Sequence, residues 1–144
     1  MPAPYVTLSN MNARLPASFL VQALDDNNDG AADAGVWDDV ASAVATEIDG
    51  ILGVRFETPF SNPIPAPVTA AAQILAAEAL YNRRGFSGEE KNPYAKLAAE
   101  QRKKLGQIAA GELPLGPEIK RTAPSASIVS EPSRASSRKG RNVA

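Results

Sequence analysis

The chain has 144 residues, of which 44% are hydrophobic and 22% charged, and its formal net charge is −1. This length favours one domain, and the longest apolar runs fall short of the roughly 18 residues that a membrane span needs. Histidine and cysteine are both absent, which excludes disulfides, thiolate metal sites and the commonest general base. The N-terminus lacks the basic start and apolar stretch of a signal peptide, so we expect none.

The charge is spread unevenly along the chain. Residues 1–60 carry a net charge of −7, residues 61–116 carry +2, and residues 117–144 carry +4. Such asymmetry indicates that the two ends of the chain meet different partners.

Three helices are predicted in the first part of the chain. A short helix over 7–15 can be capped by the hydroxyl of Thr7 or Ser9. Apolar side chains at helical spacing predict a second helix over 16–24 and a third over 35–52. The third helix also carries Glu47 and Asp49, which we expect on a solvated face.

The acidic loop between the second and third helices resembles the start of an EF-hand calcium loop. Residues with oxygen-bearing side chains occupy its first, third, fifth and ninth positions, and glycine occupies the sixth. The residue at the seventh position would contribute its backbone carbonyl. The predicted metal ligands are Asp25, Asn27, Asp29, Ala31 and Asp33. The twelfth position should be glutamate and is Val36, so the other interpretation is a solvated acidic turn in which Asp33 caps the third helix.

Residues 54–67 form a proline-rich segment, called here the arm. Its prolines forbid a regular helix or a central strand. We expect an extended arm or a long loop, which could include a short strand over 54–57.

Two further helices are predicted after the arm. The first, over 67–84, has an alanine-rich stripe that allows close helix approach, which makes it the expected central helix. Its Glu78 is expected to pair with an arginine, at position 55, 83 or 84. The last helix should be capped by Asn92, with Pro93 at its first position.

The final 28 residues, 117–144, form a tail rich in serine, proline and arginine. It holds too little apolar surface to offset roughly 1–2 kcal/mol of backbone entropy per ordered residue. We therefore expect an extended tail that becomes ordered only on a partner, bound through an apolar anchor and a basic run. The candidate partner-binding residues are Ile119, Ile128, Val129, Arg134, Arg138, Lys139 and Arg141.

The sequence thus predicts an all-α protein, a small bundle of four to five helices over 1–116 with the arm and the tail attached. No serine has a nucleophile-elbow context or a histidine partner, and no glycine-rich phosphate cradle is present. We expect no enzyme activity and no cofactor, calcium excepted.

Several segments together resemble the small all-α head-to-tail connector proteins of tailed phages and Mu-like prophages, also called adaptor or head-completion proteins. They are YVTLSNMNARLP (5–16), DDNNDGAAD (25–33), EIDGILGVRF (47–56), EALYNRRG (78–85), and the run from NPYAKL (92–97) to GELPL (111–115). The resemblance covers about residues 5–116 and leaves the tail outside.

This resemblance implies a virion protein of the phage neck, made in the host cytoplasm. It implies a ring, usually of twelve subunits, that binds the portal protein, extends the DNA channel without specific DNA contacts and meets a tail or stopper protein. The arm would then pack on a neighbouring subunit through Phe56, Pro59, Phe60 and Ile64, and the tail would reach the portal. Two alternatives remain: a calcium-responsive helix-loop-helix binding module, and a nucleic-acid-binding protein that acts through the basic tail.

Overall fold

A computed structural model describes residues 4–115, and the regular structure in this range is helical. The five helices are α1 (Leu8–Asn12), α2 (Ala17–Leu24), α3 (Val36–Leu52), α4 (Ala66–Arg83) and α5 (Ala95–Ala109). The predicted all-α bundle is therefore confirmed. The tail and its candidate binding residues, Ile119, Ile128, Val129, Arg134, Arg138, Lys139 and Arg141, lie outside the described residues.

Helix α4 is the centre of the bundle, as its alanine stripe predicts. It packs against α1, α2, α3 and α5, and α3 and α5 also pack against each other. Four of its alanines have no exposed surface, and they are Ala71, Ala72, Ala76 and Ala77. Because these side chains are small, the neighbouring helices can approach the α4 backbone closely while Leu75 and Leu80 fill the space between them.

The helix ends follow from local side-chain chemistry. Thr7 caps α1, because its hydroxyl accepts from the Asn10 N–H at 3.2 Å while the Asn10 side chain accepts from the Thr7 N–H at 2.9 Å. Helix α5 begins at Ala95, two residues later than a cap at Asn92 predicts. The buried Asn92 caps the preceding turn, accepting from the Tyr94 N–H, and its amide donates to the Glu78 carbonyl at 3.0 Å.

The arm packs on its own subunit, which differs from the neighbour contact that the resemblance implies for Phe56 and Phe60. Phe56 and Phe60 are each only 5% exposed and belong to the same core as the helices. Pro59 is exposed and Ile64 is partly buried against the core. The two phenylalanines are therefore unavailable as contacts to a neighbour, whereas a contact through Pro59 or Ile64 stays a prediction.

Tyr5 is the physical reason for the folded arm. Its buried hydroxyl accepts a hydrogen bond from the Phe60 N–H at 2.8 Å and donates one to Asp49 Oδ1 on α3 at 2.6 Å. Its ring lies 6.0 Å from that of Phe60, and Phe60 in turn lies 6.4 Å from Phe56. The aromatic rings supply the apolar burial that the prolines cannot, and the hydroxyl satisfies a backbone group that the arm would otherwise bury unpaired.

The burial of the arm generates a stability prediction. Phe60→Ala or Phe56→Ala should lower the free energy of unfolding of the isolated subunit by about 3–5 kcal/mol, because each removes a buried ring and leaves a cavity. Chemical denaturation of the purified protein measures this. The exposed neighbour gives the control, since Val54→Ala should change the free energy of unfolding by less than about 0.5 kcal/mol. Equal, small effects for all three variants would mean that the arm does not belong to the core.

Candidate functional site

The acidic loop between α2 and α3 brings three carboxylates together. Oxygens of Asp25, Asp29 and Asp33 lie within 4.8 Å of one another. The tight turn uses left-handed backbone at Asn28 (φ 62°) and Gly30 (φ 86°), and such angles suit asparagine and glycine. The sequence pattern thus correctly predicts a compact loop flanked by helices.

Backbone N–H groups of the loop hold these carboxylates in place. Asp25 accepts from the N–H groups of Asp29 at 3.1 Å and Gly30 at 2.8 Å. Burial acts to raise the pKa of the Asp25 carboxyl, but backbone hydrogen bonds from Gly30, Asp29 and Asn28 outweigh it and lower that pKa below its ordinary value. Asp25 therefore contributes stability above its unfolded pKa, and the contribution is lost as the pH falls through the lowered folded pKa.

Asp33 closes the loop from the other side. Its Oδ2 accepts from the Asp26 N–H at 2.6 Å and from the Asn27 N–H at 3.2 Å. Asp33 thus binds the start of its own loop through its side chain, and helix α3 has Gly35 at its N-cap position without a side-chain cap. The suggested capping of α3 by Asp33 is therefore wrong.

The loop is fixed to α4 by the pair formed between Asp26 and Arg83, whose Nε also donates to the Ala23 carbonyl at 2.9 Å. Among the predicted ligands, Asn27 uses its side-chain oxygen to accept from the Asp29 N–H at 3.1 Å. Ala31 is exposed, and Val36 occupies the twelfth position as the first residue of α3. The convergent carboxylates could hold a hard cation, and calcium binding stays a prediction.

A second polar site joins α3, α4 and α5 through Arg102. Its guanidinium donates to Glu47 Oε2 at 2.5 Å and to Glu78 Oε1 at 2.7 Å. It lines a groove of about 370 Å³ whose walls include Val44 and Leu75. Hydrogen bonds from the two glutamates raise the pKa of Arg102 further above its already high value, so it is charged at every accessible pH.

The pairing at Arg102 corrects two expectations. The partner of Glu78 is Arg102 rather than the arginines at 55, 83 or 84, and Glu47 takes part in the same cluster instead of lying on a freely solvated face. Asp49 likewise accepts from Tyr5, and burial raises its pKa despite that hydrogen bond. One sequence feature could have indicated the pairing of Arg102: it lies about one helical turn from the apolar residues at 98 and at 105.

Four large apolar side chains are exposed on the surface formed by the described residues. Val54, at the start of the arm, is 73% exposed, and Phe86, Leu97 and Leu113 are exposed to a lesser degree. Val54 directly precedes Arg55, whose guanidinium lies against Gly111. Sequence reasoning missed Val54 because its neighbours Phe56 and Phe60 are larger and offered more obvious contacts.

Comparison with known proteins identifies the family. A family model described as Bacteriophage Mu, Gp36 matches residues 5–131, and the chain belongs to this family of Mu-like phage proteins. The match extends beyond residue 116 and includes part of the tail, which corrects the narrower span of the resemblance noted from the sequence. A search of curated proteins gives no match. In the range 4–115, no helix is long and apolar enough to cross a membrane.

The cluster at Arg102 generates the second prediction. Arg102→Met should lower the free energy of unfolding by about 1–3 kcal/mol, because Glu78, whose side chain is only 15% exposed, keeps a charge without a partner. Adding Glu78→Gln should restore part of this loss, since the unpaired charge is then removed. Thermal and denaturant unfolding measure both variants. The control is Lys103→Met on the exposed side of α5, and a loss as large as that of Arg102→Met would show that the cluster is not its cause.

Proposed function

We propose that this member of the bacteriophage Mu Gp36 family is a structural virion protein, a head-to-tail connector that forms a ring under the portal. The observation that carries the proposal is the family match over residues 5–131. The resemblance of five ordered segments to connector proteins supports the finer assignment. In this function the ring extends the DNA channel and offers its far face to a tail or stopper protein.

The folded arm supports a specific mode of assembly. Tyr5 and Asp49 fix the arm on the subunit, so its outer surface is rigid before any neighbour arrives. Val54 and Pro59 lie on that outer surface. A rigid surface loses little conformational entropy on association, and we propose it as the contact between adjacent subunits of the ring.

The charge distribution supports a second part of the proposal. Residues 1–60 carry a net charge of −7, and Asp38 and Asp39 are exposed in the first turn of α3. A negative channel wall repels phosphate, so DNA passes without being held. We propose that this end of α3 faces the channel.

The alternative function is a calcium-responsive binding module, and the convergence of Asp25, Asp29 and Asp33 favours it. Calorimetry at millimolar calcium separates the two functions. A connector needs no calcium, so the titration should give no heat and no thermal stabilisation. Heat that disappears in Asp29→Asn, together with a calcium-dependent change in partner binding, would favour the module.

The proposed ring contact is tested by mass measurement of the purified protein with and without its portal. Val54→Asp should leave the subunit folded but weaken subunit association by at least about tenfold, since a charge placed in an apolar contact costs more than about 1.4 kcal/mol. Leu97→Asp, an exposed apolar position on α5, is the matched control and should leave the ring intact. A purified protein that stays monomeric on its portal would contradict the connector function itself.

The channel-facing position of α3 is tested by reversing its charge. Asp38→Lys with Asp39→Lys should make the assembled ring bind short duplex DNA, with an affinity that falls steeply as salt rises, and should slow DNA passage in infection assays. Lysines at a helix N-terminus also cost about 0.3–1 kcal/mol each, so Asp38→Asn with Asp39→Asn controls for lost helix stability. If the lysine pair leaves packaging, ejection and DNA affinity unchanged, α3 does not face the channel.

A further inference from the structure

A second groove opens between α4 and α5, at the end of the bundle where the described chain stops. Its volume is about 340 Å³, and its lining includes Pro67, Ala70, Lys104, Leu105, Ile108 and Leu113. Leu105 and Ile108 lie one turn apart on α5 and form its floor, since both are almost fully buried. The groove is therefore an apolar slot of the size that accepts a few aliphatic side chains.

The rim of the groove is only partly covered. Leu113 is 39% exposed although it borders the slot, and Lys104 is exposed beside it. An aliphatic side chain inserted here would remove the exposed surface of Leu113 from water, and a nearby carboxylate would pair with Lys104. The site thus selects a short aliphatic segment with an acidic residue close by.

The chain itself supplies a segment of this chemistry. Leu113 and Pro114 line the groove and Leu115 is buried, so the described chain reaches its last residue next to the groove. Ile128 and Val129 are adjacent aliphatic residues, flanked by serines and followed by Glu131. Ile119 is preceded by Glu118 but followed by Lys120 and Arg121, so the net charge around it is positive and would repel Lys104.

The segment can reach the groove in the same molecule. The twelve residues from 116 to 128 span at most about 40 Å when extended, and the groove lies at the start of that path. Closing a loop of this length costs little more than closing a shorter one, and attachment supplies a millimolar-range effective concentration.

We propose that Ile128 and Val129 of the same chain dock into the groove between α4 and α5, with Glu131 beside Lys104. The groove then holds the apolar anchor of the tail until a partner with a better site removes it. This inference does not depend on the connector function, because it concerns the isolated subunit.

The absence of cysteine from the natural sequence allows a direct test by disulfide trapping in the full-length protein. Ala70→Cys places one thiol on the groove, and Ser127→Cys places the other next to Ile128 without altering the anchor. Mild oxidation should give an intramolecular disulfide, seen as a monomer mass that has lost two hydrogens. The matched control is Ser87→Cys with Ser127→Cys, at the opposite end of α4, which should crosslink several-fold less.

A second set of variants tests the chemistry of docking. Adding Ile128→Asp and Val129→Asp to the trapping pair should reduce the disulfide yield to that of the Ser87 control. Lys104→Glu should also lower the yield, and Glu131→Lys in the same protein should restore it. Circular dichroism checks that each variant keeps its helices.

The outcomes are distinguishable. A disulfide that joins two chains would overturn docking within one molecule and assign the groove to a second copy. Equal yields for the groove and the control pairs, or a yield unaffected by the aspartates, would overturn the docking altogether. Neither result bears on the ring measured with the portal, so the connector function is judged separately.

Discussion

The hydroxyl of Tyr5 is the interaction on which the arrangement of the subunit depends. It lies in the core, and it joins the N-terminal segment, α3 and the arm through one donated and one accepted hydrogen bond. Burial and the hydrogen bond to Asp49 raise the pKa of Tyr5 well above its ordinary value, so the hydroxyl keeps its proton, and its donated hydrogen bond, at neutral pH. A tyrosine whose folded pKa is raised contributes stability that is complete below about pH 10, its unfolded pKa, and is lost as the pH rises above it.

This single polar contact explains how a proline-rich segment becomes part of a helical core. Proline removes backbone donors, so a segment such as 54–67 cannot satisfy itself with a regular hydrogen-bond ladder. The Phe60 N–H would be buried without a partner if Tyr5 were absent, which costs about 1–3 kcal/mol. With the acceptor in place, Phe56 and Phe60 can bury their rings, and apolar burial then outweighs the entropy of ordering the segment.

The sequence predicted the parts of the fold that depend on local patterns and missed those that depend on distant partners. The bounds of α2, α3 and α4 were predicted to within one residue, because apolar residues recur at helical spacing and proline and glycine mark the ends, whereas α1 ends three residues earlier than predicted and α5 begins two residues later. The burial of Phe60 was missed because its partner Tyr5 lies 55 residues away, and no periodicity reports such a contact. The pairing of Arg102 was missed for the same reason, since it lies 55 residues from Glu47 and 24 from Glu78. The acidic loop was missed only in part, because its turn is built from local hydrogen bonds.

The folded arm changes what assembly would require of this family member. A subunit whose arm waited for a neighbour would have to order fourteen residues on association, at roughly 1–2 kcal/mol of backbone entropy for each. With the arm already fixed by Tyr5, that cost is met during folding, and a ring contact has to offset only rigid-body entropy and a few side chains. Modest exposed features such as Val54 can then suffice. A connector built this way would fold as a complete subunit first and assemble afterwards, so folding and ring formation could be altered by different residues.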